Sequence, residues 1–409
     1  MNILFVSISK VSHLSGHSIS LDLIRELKNN GHNVYVIASS QRREGKETNL
    51  CEEEGCQVLR VKTGNVTKCN KIEKGIATLI LPHQYIAAIK KYFKDVKFDL
   101  VLYPTPPVTQ VSTVAFVKKR DNAKTYLLLK DIFPQNAVDI GMIRKSGLKG
   151  FIYKTFRKKE KKLYAVSDYI GCMSQANVDY VLNHNGEVPK EKVHICPNTI
   201  DVNENFVTNE RKLEIREKYG IPKDVKVFIY GGNLGKPQDI PFVIECLRAN
   251  MGKSDRYFVI CGTGTEYPKL KAFVDTEKPD NVLLINGLPR AEYEEFVKAF
   301  DIGLIFLDKR FTIPNFPSRS LSYMNSKMPV LACTDKNTDI GKVISENGFG
   351  WWCESDSTEK FTAAVDFAIG EDITAMGEKG YNYLKENYTS KNSYEIIMKN
   401  IGEGETVTV

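Results

Sequence analysis

The 409-residue chain has no CxxC pair, and its nine cysteines are scattered. The closest two, Cys51 and Cys56, stand apart from other ligand types, which excludes a zinc framework. An odd number of dispersed thiols fits a reducing cytoplasm better than secretion. No apolar run approaches the ~20 residues a membrane span needs. Gly75–Ile89 comes nearest, and Pro82, His83 and Gln84 interrupt it. The opening MNILFVSISK lacks both a charged lead and a small-residue cleavage site, so it reads as a first strand rather than a leader. The net charge of +7 is spread along most of the chain, without the concentrated basic face of a nucleic-acid binder. No GxGxxG follows the first strand, which argues against a dinucleotide oxidoreductase. Internal repeats and low-complexity segments are also missing.

What is present is a core. Hydrophobic residues make up 42% of the chain, enough for two or three domains of ordinary size. Short apolar runs alternate with helical patterns, the signature of parallel βαβ units. In the first half the runs predict strands at Ile3–Ile8, Val34–Ala38, Val58–Val61, Leu100–Tyr103, Tyr126–Leu129, Tyr169–Met173 and Val193–Cys196. A helix is expected from about Gly16 to Asn30, with Ile19, Leu23 and Leu27 on its apolar face and Gly31 as its stop. In the second half, strands are expected at Val225–Tyr230, Tyr257–Cys261, Val282–Ile285, Ile302–Leu307 and Val330–Cys333, with helices beginning near Pro241, Ala291 and Ser318. The polar stretch after Cys196-Pro197 marks a boundary near residues 198–206. The fold class is therefore α/β, with two doubly wound Rossmann-like domains.

Ligands in such sheets bind outside the carboxyl ends of the strands. The segments expected there are Ser12–His17, Tyr103–Pro107, Lys130–Gln135, Gly231–Gln238, Gly262–Glu266, Gly287–Arg290 and Ile313–Ser322. They are rich in Gly, Pro, Lys, Arg and hydroxyls, which suits a sugar nucleotide. Two stand out. Ile313–Ala332 reads as a Pro-rich loop, a helix opening at an N-cap Ser318 beside Arg319, and a buried strand. A free helix N-terminus with an adjacent guanidinium suits a diphosphate. Upstream, Tyr230-Gly231-Gly232-Asn233-Leu234-Gly235-Lys236 has the composition of a second phosphate-binding turn.

The chain resembles the GT-B glycosyltransferases, most closely the bacterial family-4 enzymes of surface-polysaccharide, O-antigen and capsule assembly. The segments that carry this are MNILFVSIS with Gly16 and His17, Lys130-Asp131-Ile132-Phe133-Pro134, Pro197-Asn198-Thr199-Ile200-Asp201, GGNLGKPQDI at 231–240, Cys261-Gly262-Thr263-Gly264, Asn286-Gly287-Leu288-Pro289, and PSRSLSYM at 317–324 followed by PVLA. The resemblance implies two domains facing across a cleft. Residues 1–200 would bind the acceptor and residues 201–385 the nucleotide-sugar, and a last helix (about 386–409) would cross back to the first domain. It implies transfer from a nucleotide-diphosphate sugar, UDP-linked by family habit, to a glycan or polyprenyl-diphosphate-linked saccharide. No cofactor, metal or nucleic acid is implied.

The site residues follow from the same matches. Lys236, Arg319 and Asp131 are the candidates for catalysis. Gly232, Asn233, Gln238, Gly262, Thr263, Gly264, Glu266, Leu288, Pro317, Ser318, Ser320 and Ser322 are candidates for donor binding. Ser15, Gly16, His17 and Lys130 are candidates for the acceptor side. Each has a plainer reading: a turn lysine, a helix-start arginine, tight-turn glycines, a solvated first-turn glutamate or histidine. Asp131 could orient the acceptor hydroxyl, pair with Lys130 or cap a helix. Two departures from the family pattern matter. Family-4 enzymes commonly carry Glu, seven residues, then Glu, where this chain has Pro314 and Ser322; a serine hydroxyl cannot serve both ribose hydroxyls as a carboxylate does. Many relatives also place His where Lys130 stands.

The implied mechanism is retention without a covalent intermediate, with cations at Lys236 and Arg319 drawing off the diphosphate. No DxD-like pair sits in a metal-plausible loop, in agreement with metal-independent binding. The stretch FIYKTFRKKEKKLY at 151–164 reads either as an interfacial helix for an anionic membrane or as a solvated helix face. The former would make the protein peripheral at the inner face of the cell membrane. Rival functions are a non-catalytic sugar-nucleotide sensor and a GT-B-fold epimerase; the epimerase would need more cleft carboxylates and histidines than His17 offers.

Overall fold

The computed structural model describes residues 1–8, 11, 13–66 and 69–402. Ser12 and residues 403–409, included in the expectations above, lie outside them. The chain divides into two compact units: Met1–Asp201 joined by the segment from Thr389 onward, and Val202–Tyr388.

The first unit is built on eight strands: β1 (Asn2–Val6), β2 (Asn33–Gln41), β3 (Asn49–Glu53), β4 (Cys56–Thr63), β5 (Leu100–Pro104), β6 (Lys124–Leu129), β7 (Tyr169–Cys172) and β8 (Val193–Ile195). Their order is β3-β4-β2-β1-β5-β6-β7-β8, and only the β3–β4 pair is antiparallel. The central strands are buried because they are covered by helices on both faces, which is why they read as unbroken apolar runs. β3 was not anticipated. It is an edge strand with a polar sequence, NLCEE, and only its pairing with β4 makes it a strand.

The second unit holds six parallel strands: β9 (Lys226–Asn233), β10 (Arg256–Thr263), β11 (Val282–Ile285), β12 (Ile302–Phe306), β13 (Val330–Thr334) and β14 (Gly350–Glu354), in the order β11-β10-β9-β12-β13-β14. β14 was also missed. Its GWWCE sequence is too short and too exposed at Trp352 to signal a strand without its partner β13. In each sheet the strand order reverses at one place, beside β1 in the first and beside β9 in the second. Loops leaving those strands stand at the switch points where such sheets bind ligands.

Helix boundaries needed three corrections. The first helix runs Ile19–Asn29, not from Gly16, because Ser18 caps it by accepting from the Leu21 amide at 3.2 Å. Its buried side includes Leu23, Ile24 and Leu27, while Ile19 is only half-buried. Gly31 then takes the left-handed conformation (φ +81°) that stops the helix. The C-terminal helix expected from about residue 386 runs Ser390–Asn400 and is separate from the helix Ile373–Asn387 before it. Thr389 and Asn392 form a capping box that starts the last helix afresh. That last helix packs on Ile19–Asn29, and Tyr394 Oη bonds His32 Nε2 at 3.2 Å, so it belongs to the first unit. Finally, the helix after Pro317 spans only Arg319–Asn325. No helix among the described residues is long and apolar enough to cross a membrane. All nine cysteines are free thiols.

Candidate functional site

In the second unit the glycine turn leaves β9 at the switch point. Gly262 and Gly264 are required there by backbone crowding. A Cβ on Gly262 would lie 1.9 Å from the Gly232 carbonyl oxygen, and one on Gly264 would lie 2.1 Å from that of Leu234. Their smallness lets Leu234 fold over the end of β10, fixed by its amide bond to the Thr263 carbonyl at 2.8 Å. Gly232 (φ +133°) serves a different end: a Cβ there would meet Arg319 Nη2 at 2.2 Å. The bare backbone of Gly232 is thus what admits the guanidinium.

Arg319 is half-buried and stacked on Tyr230, its Cζ 4.1 Å from the ring centroid. It carries no ion pair among the described residues. The Tyr230 hydroxyl is anchored on the Asn233 carbonyl at 2.7 Å, and Tyr323 braces the strand behind. Buried Tyr323 accepts from the Gly231 amide at 3.2 Å and lies 3.1 Å from the carbonyl oxygens of both Ile229 and Leu304. A planar cation is therefore fixed at the mouth of the glycine turn with its charge unspent, a geometry suited to bidentate phosphate. Lys236 is exposed on the same turn and its ammonium has no partner among the described residues. Gln238 holds the turn closed, accepting from the Gly235 amide at 3.1 Å and from Asn233 Nδ2 at 3.2 Å. Exposed Thr263 and Gly264 flank it, and half-buried Leu288 follows Gly287, whose φ of +71° sets that turn.

Ser318 stands at the N-cap position, as expected, but its side chain does not cap the helix. Ser318 is already helical (φ −61°, ψ −11°) and its side chain makes no cap bond. The Ser320 and Leu321 amides are taken by the carbonyls of Pro317 and Ser318, at 3.1 and 3.2 Å, so two of the amides at this helix start are already bonded within the turn. Fully buried Ser320 gives its hydroxyl to the Pro317 carbonyl at 2.9 Å. Ser322 is half-buried on the next turn, and Pro314 is buried. Glu266 is not a solvated glutamate: it is 8% exposed and paired with Lys269 at 2.5 Å.

In the first unit, Lys130 and Asp131 follow β6. They do not pair with each other. Among the described residues the Lys130 ammonium has a single long contact, 3.5 Å to the Pro197 carbonyl, and burial pulls its pKa down to about 8. It lines a cavity of about 220 Å³ with Phe5, Leu23, Leu128 and Ser393. Asp131 accepts from Asn136 Nδ2 at 2.7 Å through one oxygen, while its other oxygen, Oδ1, is buried without a hydrogen bond. Burial raises its pKa to about 6. Ser15, Gly16 and His17 form an exposed loop pinned by Arg25, which the sequence reading missed. Arg25 donates to the Gly16 carbonyl (2.6 Å), Asp22 (2.5 Å) and Asp201 (3.0 Å), and touches His17 Nδ1 at 3.1 Å. His17, Asp22 and Asp201 bring ligand atoms within 4.8 Å of one another, but the guanidinium fills that place.

Comparison with known proteins agrees with this architecture. Residues 19–204 match Glycosyltransferase Family 4, and residues 211–389 match Glycosyl transferases group 1. A probable glycosyltransferase, WbjE of Pseudomonas aeruginosa, is 23% identical over 331 residues, 79% of each chain. Among solved structures, sucrose-phosphate synthase from Thermosynechococcus elongatus superposes with a TM-score of 0.74 at 13% identity, covering 98% of both chains. HepE of Anabaena in complex with UDP gives 0.68 at 13% identity, over 98% of this chain and 100% of that one. WaaG, a glycosyltransferase involved in lipopolysaccharide biosynthesis, gives 0.63 at 13%, again over 98% and 100%. With the two families together spanning nearly its whole length, the chain belongs to the glycosyltransferases of GT-B fold that join a family-4 unit to a group-1 unit.

Proposed function

We propose that the second unit binds a nucleotide-diphosphate sugar, UDP-linked, and that the enzyme passes the sugar to a glycan or polyprenyl-diphosphate-linked saccharide held by the first unit, with retention and without a metal. The observation that carries this is the unspent guanidinium of Arg319, fixed over Gly232 with Lys236 on the same turn. Exposed Thr263 and Gly264 offer backbone to the donor on the adjoining loop, and Ser322 offers one hydroxyl to the ribose where relatives use a carboxylate. In the reaction, an acceptor hydroxyl bonds to the anomeric carbon on the face that the diphosphate leaves. The carbon–oxygen bond to the diphosphate breaks, and the acceptor proton passes to a departing phosphate oxygen. Lys236 and Arg319 stabilise the charge that accumulates there. Asp131, and Lys130 beside it, are the acceptor-side groups, with the Ser15–His17 loop. The lipid-linked form of the acceptor agrees with a peripheral place at a membrane, for which the basic helix is the candidate contact.

Lys236→Ala should lower turnover by ~10²-fold or more while the fold persists, by analogy with the loss of one oxyanion donor. Near-normal release of UDP in the presence of acceptor would remove Lys236 from the mechanism. A wild-type protein that binds UDP-sugars but never releases UDP would instead be a sensor.

A further inference from the structure

The second unit holds a cavity of about 290 Å³ whose wall includes Phe206, Lys212, Lys298, Asp301, Lys327 and Glu378. Asp301 directly precedes β12, and Lys327 stands three residues before β13, so this wall is at the amino edge of the sheet. The glycine turn leaves β9 at the carboxyl edge, where sheets of this type bind their ligands, so the cavity is no part of the donor site. Its volume is at the small end of the ~300–1,000 Å³ usual for ligand sites, which suits a small molecule rather than a nucleotide-sugar.

The charges in this wall do not balance. Both carboxylates are already committed. Asp301 accepts from Arg216 Nη2 at 2.8 Å and from the Val227 amide at 2.7 Å. Glu378 pairs with Lys327 at 2.6 Å. The Lys212 ammonium has no partner among the described residues, and that of Lys298 gives one bond, 2.5 Å to the Asn205 carbonyl. Glu295, whose charge also acts on Lys298, is held by Arg211 at 2.7 Å. Two ammonium groups therefore stand in the wall without an ion pair. Beside them Phe206 is 43% exposed, yet its ring is fixed. Lys327 Nζ lies 4.4 Å from its centroid, and Tyr381 meets it edge-on at 5.4 Å.

We propose that this cavity binds a small phosphate monoester, with the phosphate between Lys212 and Lys298 and the ring of its sugar or nucleoside against Phe206. A monoester carries about −1.5 to −2 at neutral pH, which matches two unpaired ammonium groups. An apolar ring beside a few placed charges is the usual make-up of a small-molecule site. The inference is independent of the donor reading.

The test is calorimetric titration of the full chain with inorganic phosphate, glucose 6-phosphate and adenosine monophosphate, each with and without saturating UDP. At least one ester should bind more tightly than inorganic phosphate, with an affinity that UDP leaves unchanged; which ester binds better identifies the ring. Lys212→Gln with Lys298→Gln should weaken that ester ~100-fold, about tenfold for each charge-assisted bond at ~1.4 kcal/mol apiece. Phe206→Leu should weaken the ester and leave inorganic phosphate unchanged. UDP binding and the melting temperature should be kept in both variants. The proposal is overturned if neither ester binds, if the lysine pair makes no difference, or if UDP displaces the ester. Equal affinity for all three probes would mean an adventitious ion only and would also overturn it. Ester binding by a wild-type protein that fails to bind UDP would overturn the donor reading and leave this site standing.

Discussion

Replacing Arg319 by methionine separates a functional guanidinium from a structural one. Methionine keeps most of the stem and removes the charge. In the native protein the cation stacks at 4.1 Å on Tyr230, an interaction of ~2 kcal/mol when desolvated. Against this stands the cost of holding a half-buried cation without a counter-ion, a few kcal/mol. The two nearly cancel, so the ligand-free variant should melt within a few degrees of wild type. Binding should not cancel. A charge-assisted bidentate contact to phosphate contributes ~2 kcal/mol or more, about 30-fold in affinity. With UDP at ~100 times the wild-type dissociation constant, wild type gains ~2.7 kcal/mol and the variant only ~0.9 kcal/mol. Melting curves with and without UDP read this difference directly, and UDP release should fall 10²–10³-fold through lost transition-state stabilisation. An equal UDP shift in both proteins would refute the assignment. So would collapse of the ligand-free variant, which would make Arg319 a buttress for Tyr230.

Two further predictions follow from buried polar groups. Asp131 has a folded pKa raised to about 6 by burial, above its ordinary 3.8, so the native state holds a proton that the unfolded chain releases. Stability therefore falls as pH rises through roughly 4 to 6 and is level above that, by up to ~3 kcal/mol for this group. Asp131→Asn should flatten much of that slope and raise stability at pH 7 in denaturant titrations. Part of the slope should remain, because Asp335 is also raised to about 6 by burial; an unchanged slope would contradict the assignment. Tyr323→Phe leaves the buried Gly231 amide without its partner and should cost ~1–3 kcal/mol. It should lower donor affinity as well, because the glycine turn loses its brace. Unfolding midpoints and UDP titrations measure both effects.

How far the sequence carried the reading depended on whether the signal was local. Val282–Ile285 was expected as a strand and is β11 residue for residue, because a short run of aliphatics between turn residues has one way to be buried. β3 and β14 gave no such signal, since each is defined by a neighbouring strand rather than by its own composition. The helix starts at Ser18 and Thr389 were legible in principle, as S/T caps with a polar partner three or four residues on, yet Gly16 and Glu386 were preferred. Ser318 is the opposite case, with its position as expected and its capping bond absent. A serine after proline is a good cap only in extended backbone, and here the chain is already helical at that residue. At the candidate site, residue types were readable but partners were not. Glu266 pairs with Lys269 three residues on, which spacing could have suggested. Arg25 is tied to Asp201, 176 residues away, which no local pattern encodes.

By itself, the sequence determined two parallel α/β sheets, glycine turns after the strands of the second, and cations within those turns. Hydrophobic periodicity and backbone permissiveness are properties of neighbouring residues, so they survive without coordinates. Only the tertiary structure decided that Gly232 is bare in order to seat Arg319, and that Tyr230 and Tyr323 fix that seat. Those facts depend on which strand ends lie side by side, and burial gives each unpaired or shared hydrogen bond its energetic weight.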